Sequence, residues 1–186
     1  MLGPRAPAGF SLAVVDYGLD PNPGLGAMLI WRTAPGHAGT GLHASVAQGI
    51  GDRVNVALGV DRAWPLVRAT REFPFDLVWT AGAGASMGEY FEAAVPVGVA
   101  FGTSTASSKL RLEPYTAARA VVEARAGDSV VGDAVSLAIA VDVGADLFIG
   151  RSQSFALRAA ASLGDRHAAA IGLHVSPRRA VAASAR

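Results

Sequence analysis

A run of alternating residues between Val135 and Ile149 constrains the fold of this chain more than any other feature. Every second residue from Val135 is apolar, whereas the residues between them are small or acidic until Phe148. A period of two residues is that of a β-strand whose two faces differ. A helix would place Asp142 and Asp146 in the middle of its apolar surface, so we predict a strand.

The same alternation recurs along the chain between turns rich in Gly, Pro and Asp, which is typical of antiparallel strands joined by tight connections. We count about ten such segments, with eight as the alternative. One strand is predicted over Val54–Asp61, and the irregular link Arg62–Pro74 follows it. Another is predicted over Leu110–Val122, and a loop over Glu123–Ala134 follows it. The pattern therefore predicts an all-β protein.

The predicted β-domain covers residues 10–176, between a loose N-terminal tail (1–9) and a C-terminal tail (177–186). The 186 residues are 51% hydrophobic. However, the sequence contains no run of about 18 or more apolar residues, which a transmembrane helix would need. The formal net charge of +1 gives no reason to expect a nucleic-acid partner. Cysteine is absent, which excludes disulfides and thiolate chemistry. The first ten residues contain no apolar segment of the kind found in signal peptides.

The residues on the less apolar face favour an antiparallel up-and-down barrel that spans a membrane over a soluble sandwich. The solvent-facing side of a sandwich usually carries many charged and hydroxyl side chains. Here that face is Gly, Ala and Ser with isolated charges of both signs, which suits a narrow lumen where ions can pair. We expect Asp142 and Asp146 to pair with Arg111, Arg119 and Arg158. The predicted interior charges are Asp61, Asp76, Glu92, Arg111, Glu113, Arg119, Asp142, Asp146 and Arg158.

Aromatic residues on the apolar face give an independent indication of a membrane-spanning barrel. If successive strands run up and down, five of these residues fall near the rim that holds both termini. Aromatic girdles of this kind mark membrane interfaces. The predicted interface aromatics are Phe10, Trp31, Phe75, Phe101 and Phe155, and Phe91 marks the opposite rim.

The units GIGDRVNVALGVD, GASMGEYFEAAVPVGVAFG and LRAAASLGDRHAAAIGLHV make the chain resemble small bacterial outer-membrane β-barrel proteins. The likeness is one of pattern and covers about residues 10–175. It implies insertion into the outer membrane, contact with outer-membrane lipid, termini on the periplasmic side and no cofactor. The chain departs from the family's pattern in its final strand, which lacks a terminal aromatic residue.

Candidate chemistry inside the predicted barrel is sparse. His43 and His174 fall on the inward face, and Ser45 lies two residues from His43, so a Ser–His hydrolase can be considered. A lipid-modifying serine would face outward, whereas Ser45 is predicted to face inward. Asp142 and Asp146 share a face but have no histidine in register, so ion pairs are favoured over a metal site. We therefore predict no catalytic residue, no metal and no cofactor.

Two classes of function remain. The first is an outer-membrane barrel with a structural role, a role as a subunit of an assembly, or a narrow pore, and without catalysis. The alternative is a soluble, lipocalin-like barrel that binds a small apolar ligand in its interior. The face that points into the barrel distinguishes them.

Overall fold

The computed structural model describes residues 4–5, 7–16, 24–33, 39–48, 53–127, 134–150, 152–165 and 167–176. Regular structure in these residues consists of strands alone, and they contain no helix able to cross a membrane. The strands are β1 (Gly9–Asp16), β2 (Leu25–Arg32), β3 (Thr40–Gln48), β4 (Val54–Val67), β5 (Asp76–Met87), β6 (Phe91–Gly102), β7 (Thr105–Ala106), β8 (Leu110–Ala126), β9 (Val135–Ile149), β10 (Phe155–Gly164) and β11 (Ala168–Val175).

Ten of these strands form one closed ring. Each strand from β1 to β6 pairs with the next, β6 pairs with β8, and β8 to β11 continue in order. The ring closes where β11 pairs antiparallel with β1, with Phe10 opposite Val175. β7 has only two residues and pairs at the edge of β8. The predicted all-β fold and the antiparallel ten-strand barrel are confirmed.

The strands are tilted, as the pairing register shows. Residues paired across neighbouring strands can be followed from Phe148 of β9 through β10, β11 and β1 to β6, and then through β8. The path returns to β9 at Ser136, twelve residues from its start. For ten strands, this stagger corresponds to a tilt of roughly 40°, within the usual range for closed barrels. Points of equal height on neighbouring strands are therefore offset by about one residue from paired positions.

The apolar face of the barrel points outward. On β1 the side chains of Phe10, Leu12 and Val14 are exposed, while Ser11 and Ala13 between them are buried. The other ring strands carry most of their large aliphatic residues outward in the same way, and mainly small and charged residues line the interior. The predicted division of each strand into two faces is therefore present, with the polar face inside.

Two strands extend beyond the predicted ends. β4 continues through Val67, although the sequence pattern predicts an irregular link from Arg62. It pairs with β5 up to an irregularity between Pro65 and Val67, so the proline is accommodated at a bulge near the strand's end. β8 continues through Ala126, although a loop is predicted from Glu123. The charged residues at these two ends suggest loops in the sequence, but they lie within the strands, where their side chains face either outward or inward.

The end of the barrel where β1 begins and β11 ends is here called the terminal rim, and the other end the opposite rim. Part of the predicted N-terminal tail contacts the barrel at the terminal rim. Pro4 is buried beside Gly102 of β6, and Arg5 forms an ion pair with Asp76 of β5. The predicted C-terminal tail, 177–186, lies outside the described residues.

Candidate functional site: the barrel interior

The lumen is filled unevenly. Long inward side chains come mainly from β2 and from β8 to β10, including Arg32, Tyr115, Arg119 and Arg158. The inward positions of β3 to β6 are mostly Gly, Ala and Ser. Because a ten-strand ring encloses little more than the volume of its own side chains, this division lets the long side chains of one wall reach toward the other.

One ion cluster joins β2, β3 and β4. The Arg32 guanidinium donates to both carboxylate oxygens of Asp61, with Nη1–Oδ1 and Nη2–Oδ1 distances of 3.1 Å and an Nη2–Oδ2 distance of 3.2 Å. His43 Nε2 contacts Oδ2 of the same carboxylate. Arg32 is only 4% exposed, so it depends on Asp61 for compensation of its charge.

A second cluster crosses the seam where the ring closes. Arg158 of β10 donates to Asp146 of β9 at 2.7 and 3.0 Å. It also donates to Ser11 Oγ of β1 at 3.0 Å, and that hydroxyl lies 2.8 Å from Nδ1 of His174 on β11. His174 Nε2 lies 3.0 Å from Ser176 Oγ. Side-chain hydrogen bonds therefore join the first and last strands, in addition to the backbone hydrogen bonds between them.

A third cluster joins β8, β9 and β10. Arg119 Nε donates to Asp142 Oδ2 at 2.8 Å, and its Nη2 donates to Asp142 Oδ1 at 3.3 Å and to Ser162 Oγ at 3.1 Å. Asp142 and Ser162 are each 1% exposed. Three strands thus share one bonded network in the middle of the wall.

Further ion pairs lie toward the two rims. Near the opposite rim, Arg125 donates to Glu92 at 3.0 Å and to Glu123 at 3.2 Å, and its guanidinium lies 5.6 Å from the Tyr90 ring. Near the terminal rim, the Arg111 Nε to Glu113 Oε1 distance is 3.2 Å. The Arg111 guanidinium lies 4.0 Å from the Phe148 ring centre, a cation–π arrangement.

All nine residues named from the sequence as interior charges take part in these ion pairs, but not always with the expected partner. Asp142 pairs with Arg119 and Asp146 with Arg158, whereas Arg111 pairs with Glu113. Among the described residues, the sequence pattern also missed Arg5, Arg32, Glu123 and Arg125. Arg32 could have been found, because it ends the inward series Gly26, Met28, Ile30. Glu123 and Arg125 were hidden by the early predicted end of their strand.

A cavity of about 280 Å³ remains in the lumen beside the small inward residues of β3 to β6. Its lining includes Gly59, Gly82, Gly84 and Pro96, together with the pairs His43–Asp61 and Arg119–Asp142. The charges that face it are already paired with one another. The cavity is therefore lined mainly by small apolar residues, and the charges at its edge are paired.

Among the described residues, no hydrogen bond joins Ser45 to either of the histidines considered for catalysis, His43 and His174. Ser45 and His43 share the inward face of β3, but His43 contacts Asp61. His174 is 1% exposed and bonded to Ser11 and Ser176. Within the described residues, no group of three or more His, Asp or Glu side chains is arranged to hold a metal ion.

Several outward aromatic residues lie close to one height near the terminal rim. Following the paired positions and correcting for the stagger places Trp64 of β4, Trp79 of β5 and Phe101 of β6 level with Phe10 of β1, with Trp31 within about two residues. The rings of Phe10 and Trp31 lie 6.3 Å apart, and Phe75 stacks on Phe101 at 4.6 Å. Trp64 and Trp79, which are opposite each other, are absent from the predicted set of interface aromatics.

No protein-family model matches the chain, and comparison with curated proteins gives no match.

Proposed function

We propose that this protein is an integral β-barrel of a bacterial outer membrane. The observation that carries the proposal is the orientation of the two strand faces: large apolar side chains point outward around the ring, and the charges are paired inside. An aqueous solvent would penalise such a surface, whereas lipid tails match it. The level aromatic residues at one rim support the same environment, because such rings favour the membrane interface.

Within that membrane the protein has a structural role, serves as a subunit of an assembly, or forms a narrow pore, and it carries out no catalysis. Ion clusters from β2, β4, β9 and β10 occupy the half of the lumen nearer the terminal rim. This filling supports a structural role over wide conduction. Its partners are outer-membrane lipid and, in the assembly version, other subunits.

The alternative is a soluble barrel that binds a small apolar ligand. Such a protein needs apolar side chains around its interior and a polar exterior. The described inward positions are mainly small, polar or charged, so the outer-membrane proposal has the stronger support.

The test is refolding of the urea-denatured full chain with and without phosphatidylcholine vesicles. We expect a folded form only with vesicles or detergent, recognised by protease resistance and by a shift in gel mobility between unheated and boiled samples. A monomer that stays folded in plain buffer would contradict the proposal and favour the soluble alternative.

A further inference from the structure

The outward apolar belt is much taller on one side of the barrel than on the other. On β9 every outward residue from Val135 to Ile149 is apolar. On β1 the outward apolar series contains only Phe10, Leu12 and Val14 and ends at the exposed Asp16. β1, β2 and β11 are eight-residue strands and neighbours in the ring, and they are here called the short wall.

The difference is large in ångströms. With a rise of about 3.3 Å per residue and the tilt given above, each residue adds about 2.5 Å of height. The belt is then about 35 Å tall along β9 and about 10–15 Å tall along the short wall. A membrane-spanning barrel usually presents an apolar band about 25 Å tall.

Part of the mismatch lies at the opposite rim. Starting from Asp16 and passing through its successive partners Ala169, Ala161 and Val143 leads to β9, three strands away. Correcting for the stagger puts Ile139 at the height of Asp16. At that height the short wall has a carboxylate, while β9 continues with the outward residues Ile139, Leu137 and Val135, each at least 60% exposed.

Tilting of the whole barrel does not remove this difference. At the terminal rim, Phe10 on the short wall is level with Phe101 on the far side, whereas the belt of β9 continues to Ile149, about four residues above the height of Phe10. A rigid rotation moves both ends of one wall in the same direction, so it leaves the height of the apolar belt on each wall unchanged. The belt is therefore a wedge.

We propose that the lipid bilayer is locally thinned along the short wall. This inference rests on the proposed membrane function and adds how thick the bilayer is beside the short wall. A bilayer adapts to a short apolar surface by compressing its acyl chains, at a modest cost per ångström. Leaving the bilayer at full thickness would instead immerse the Asp16 carboxylate in hydrocarbon. Thinning brings the headgroups to the height of Asp16 on this side only.

Four labelled proteins test the proposal. The chain has no cysteine, so Asp16→Cys, Ile139→Cys, Phe10→Cys and Phe101→Cys each give a single site for an environment-sensitive fluorophore. Each protein is folded into phosphatidylcholine vesicles with and without lipids brominated near the middle of the acyl chain. We expect blue-shifted, strongly quenched emission for the Ile139→Cys label and red-shifted, weakly quenched emission for the Asp16→Cys label. The Phe10→Cys and Phe101→Cys labels should resemble each other.

Equal quenching of the Asp16→Cys and Ile139→Cys labels would overturn the thinning proposal while leaving the membrane function intact. Different quenching of the Phe10→Cys and Phe101→Cys labels would indicate tilt and would also overturn it. A Val14→Cys label that no lipid quencher reaches would mean that a second copy covers the short wall, which contradicts a lipid contact. If the Ile139→Cys label is not quenched and gel mobility is insensitive to heat, the membrane function itself fails.

Discussion

At the scale of single residues, the stability of the interior depends on charges that have no water to replace a lost partner. Arg158 and Asp146 face each other directly across β10 and β9, so their ion pair follows from the strand register. Sequence alternation is sufficient to predict that these residues point inward. It cannot predict which acid meets which base, because the register is set by the closure of the whole ring.

Replacing Arg158 with Leu should lower the free energy of unfolding by about 3–5 kcal/mol, because it leaves the buried Asp146 carboxylate without its partner. Urea unfolding in vesicles, followed by gel mobility, measures the change. Replacing the exposed Arg53 with Leu is the control and should have little effect.

A double variant separates pairing from loss of packing at this site. Arg158→Leu combined with Asp146→Leu should recover most of the lost stability, since no unpaired carboxylate remains. Losses that simply add would mean that the two side chains act independently, with Arg158 hydrated in an open lumen.

Gly144 shows how a glycine makes room for an aromatic ring inside the barrel. Tyr115 is opposite Gly144 across β8 and β9, and a Cβ atom at residue 144 would lie 2.6 Å from the Tyr115 ring and hydroxyl. Gly144→Val should therefore cost about 1–3 kcal/mol through overpacking. The neighbouring outward change Ala145→Val should be nearly neutral in the same unfolding assay. Equal effects from the two variants would contradict the packing of Tyr115 over Gly144.

At the scale of strands, the centre of each element could be predicted better than its ends. The two-residue period is strong wherever one face is aliphatic, as between Val135 and Ile149. It weakens where Arg62 and Trp64 occupy outward positions of β4, and where Glu123 and Arg125 occupy inward positions of β8. At such ends cross-strand hydrogen bonds continue the strand after the hydrophobic signal has stopped.

The extension of β4 makes a prediction about the three tryptophans of the chain. Trp31, Trp64 and Trp79 lie near one height, so three variants that each keep one tryptophan and replace the other two with phenylalanine should report the same depth. Quenching of their fluorescence by lipids brominated at different positions measures that depth. An unquenched Trp64 would mean that the residue lies in a loop away from the membrane, as the sequence pattern predicts.

At the scale of the whole molecule, the outward belt and the inward ion clusters form a barrel with reversed polarity compared with soluble proteins. In the proposed membrane this surface has a depth-dependent tolerance for charge. Val141→Arg, placed halfway up the belt of β9, should cost about 2–4 kcal/mol of unfolding free energy. Ile149→Arg, at the terminal rim of the same strand, should cost about 0–1 kcal/mol. Equal costs in vesicles would argue against a membrane-spanning belt.

The filled half of the lumen also predicts low conductance. The ion pairs Arg32–Asp61 and Arg158–Asp146 occupy the interior near the terminal rim, so the wild-type protein in a planar lipid bilayer should pass little or no steady current. Well-resolved, long-lived current steps would contradict this and would favour the pore version of the proposed function.

The pairing of β1 with β11 joins residues from nearly opposite ends of the chain, such as Phe10 and Val175. Contacts of such high sequence separation form late, because a long stretch of chain must first lose its freedom. Until the last strand arrives, β1 and β10 are both open edges able to capture a foreign strand. The slowest and most vulnerable moment in the folding of this protein is therefore the closing of the ring, and that moment depends on the eight residues of β11.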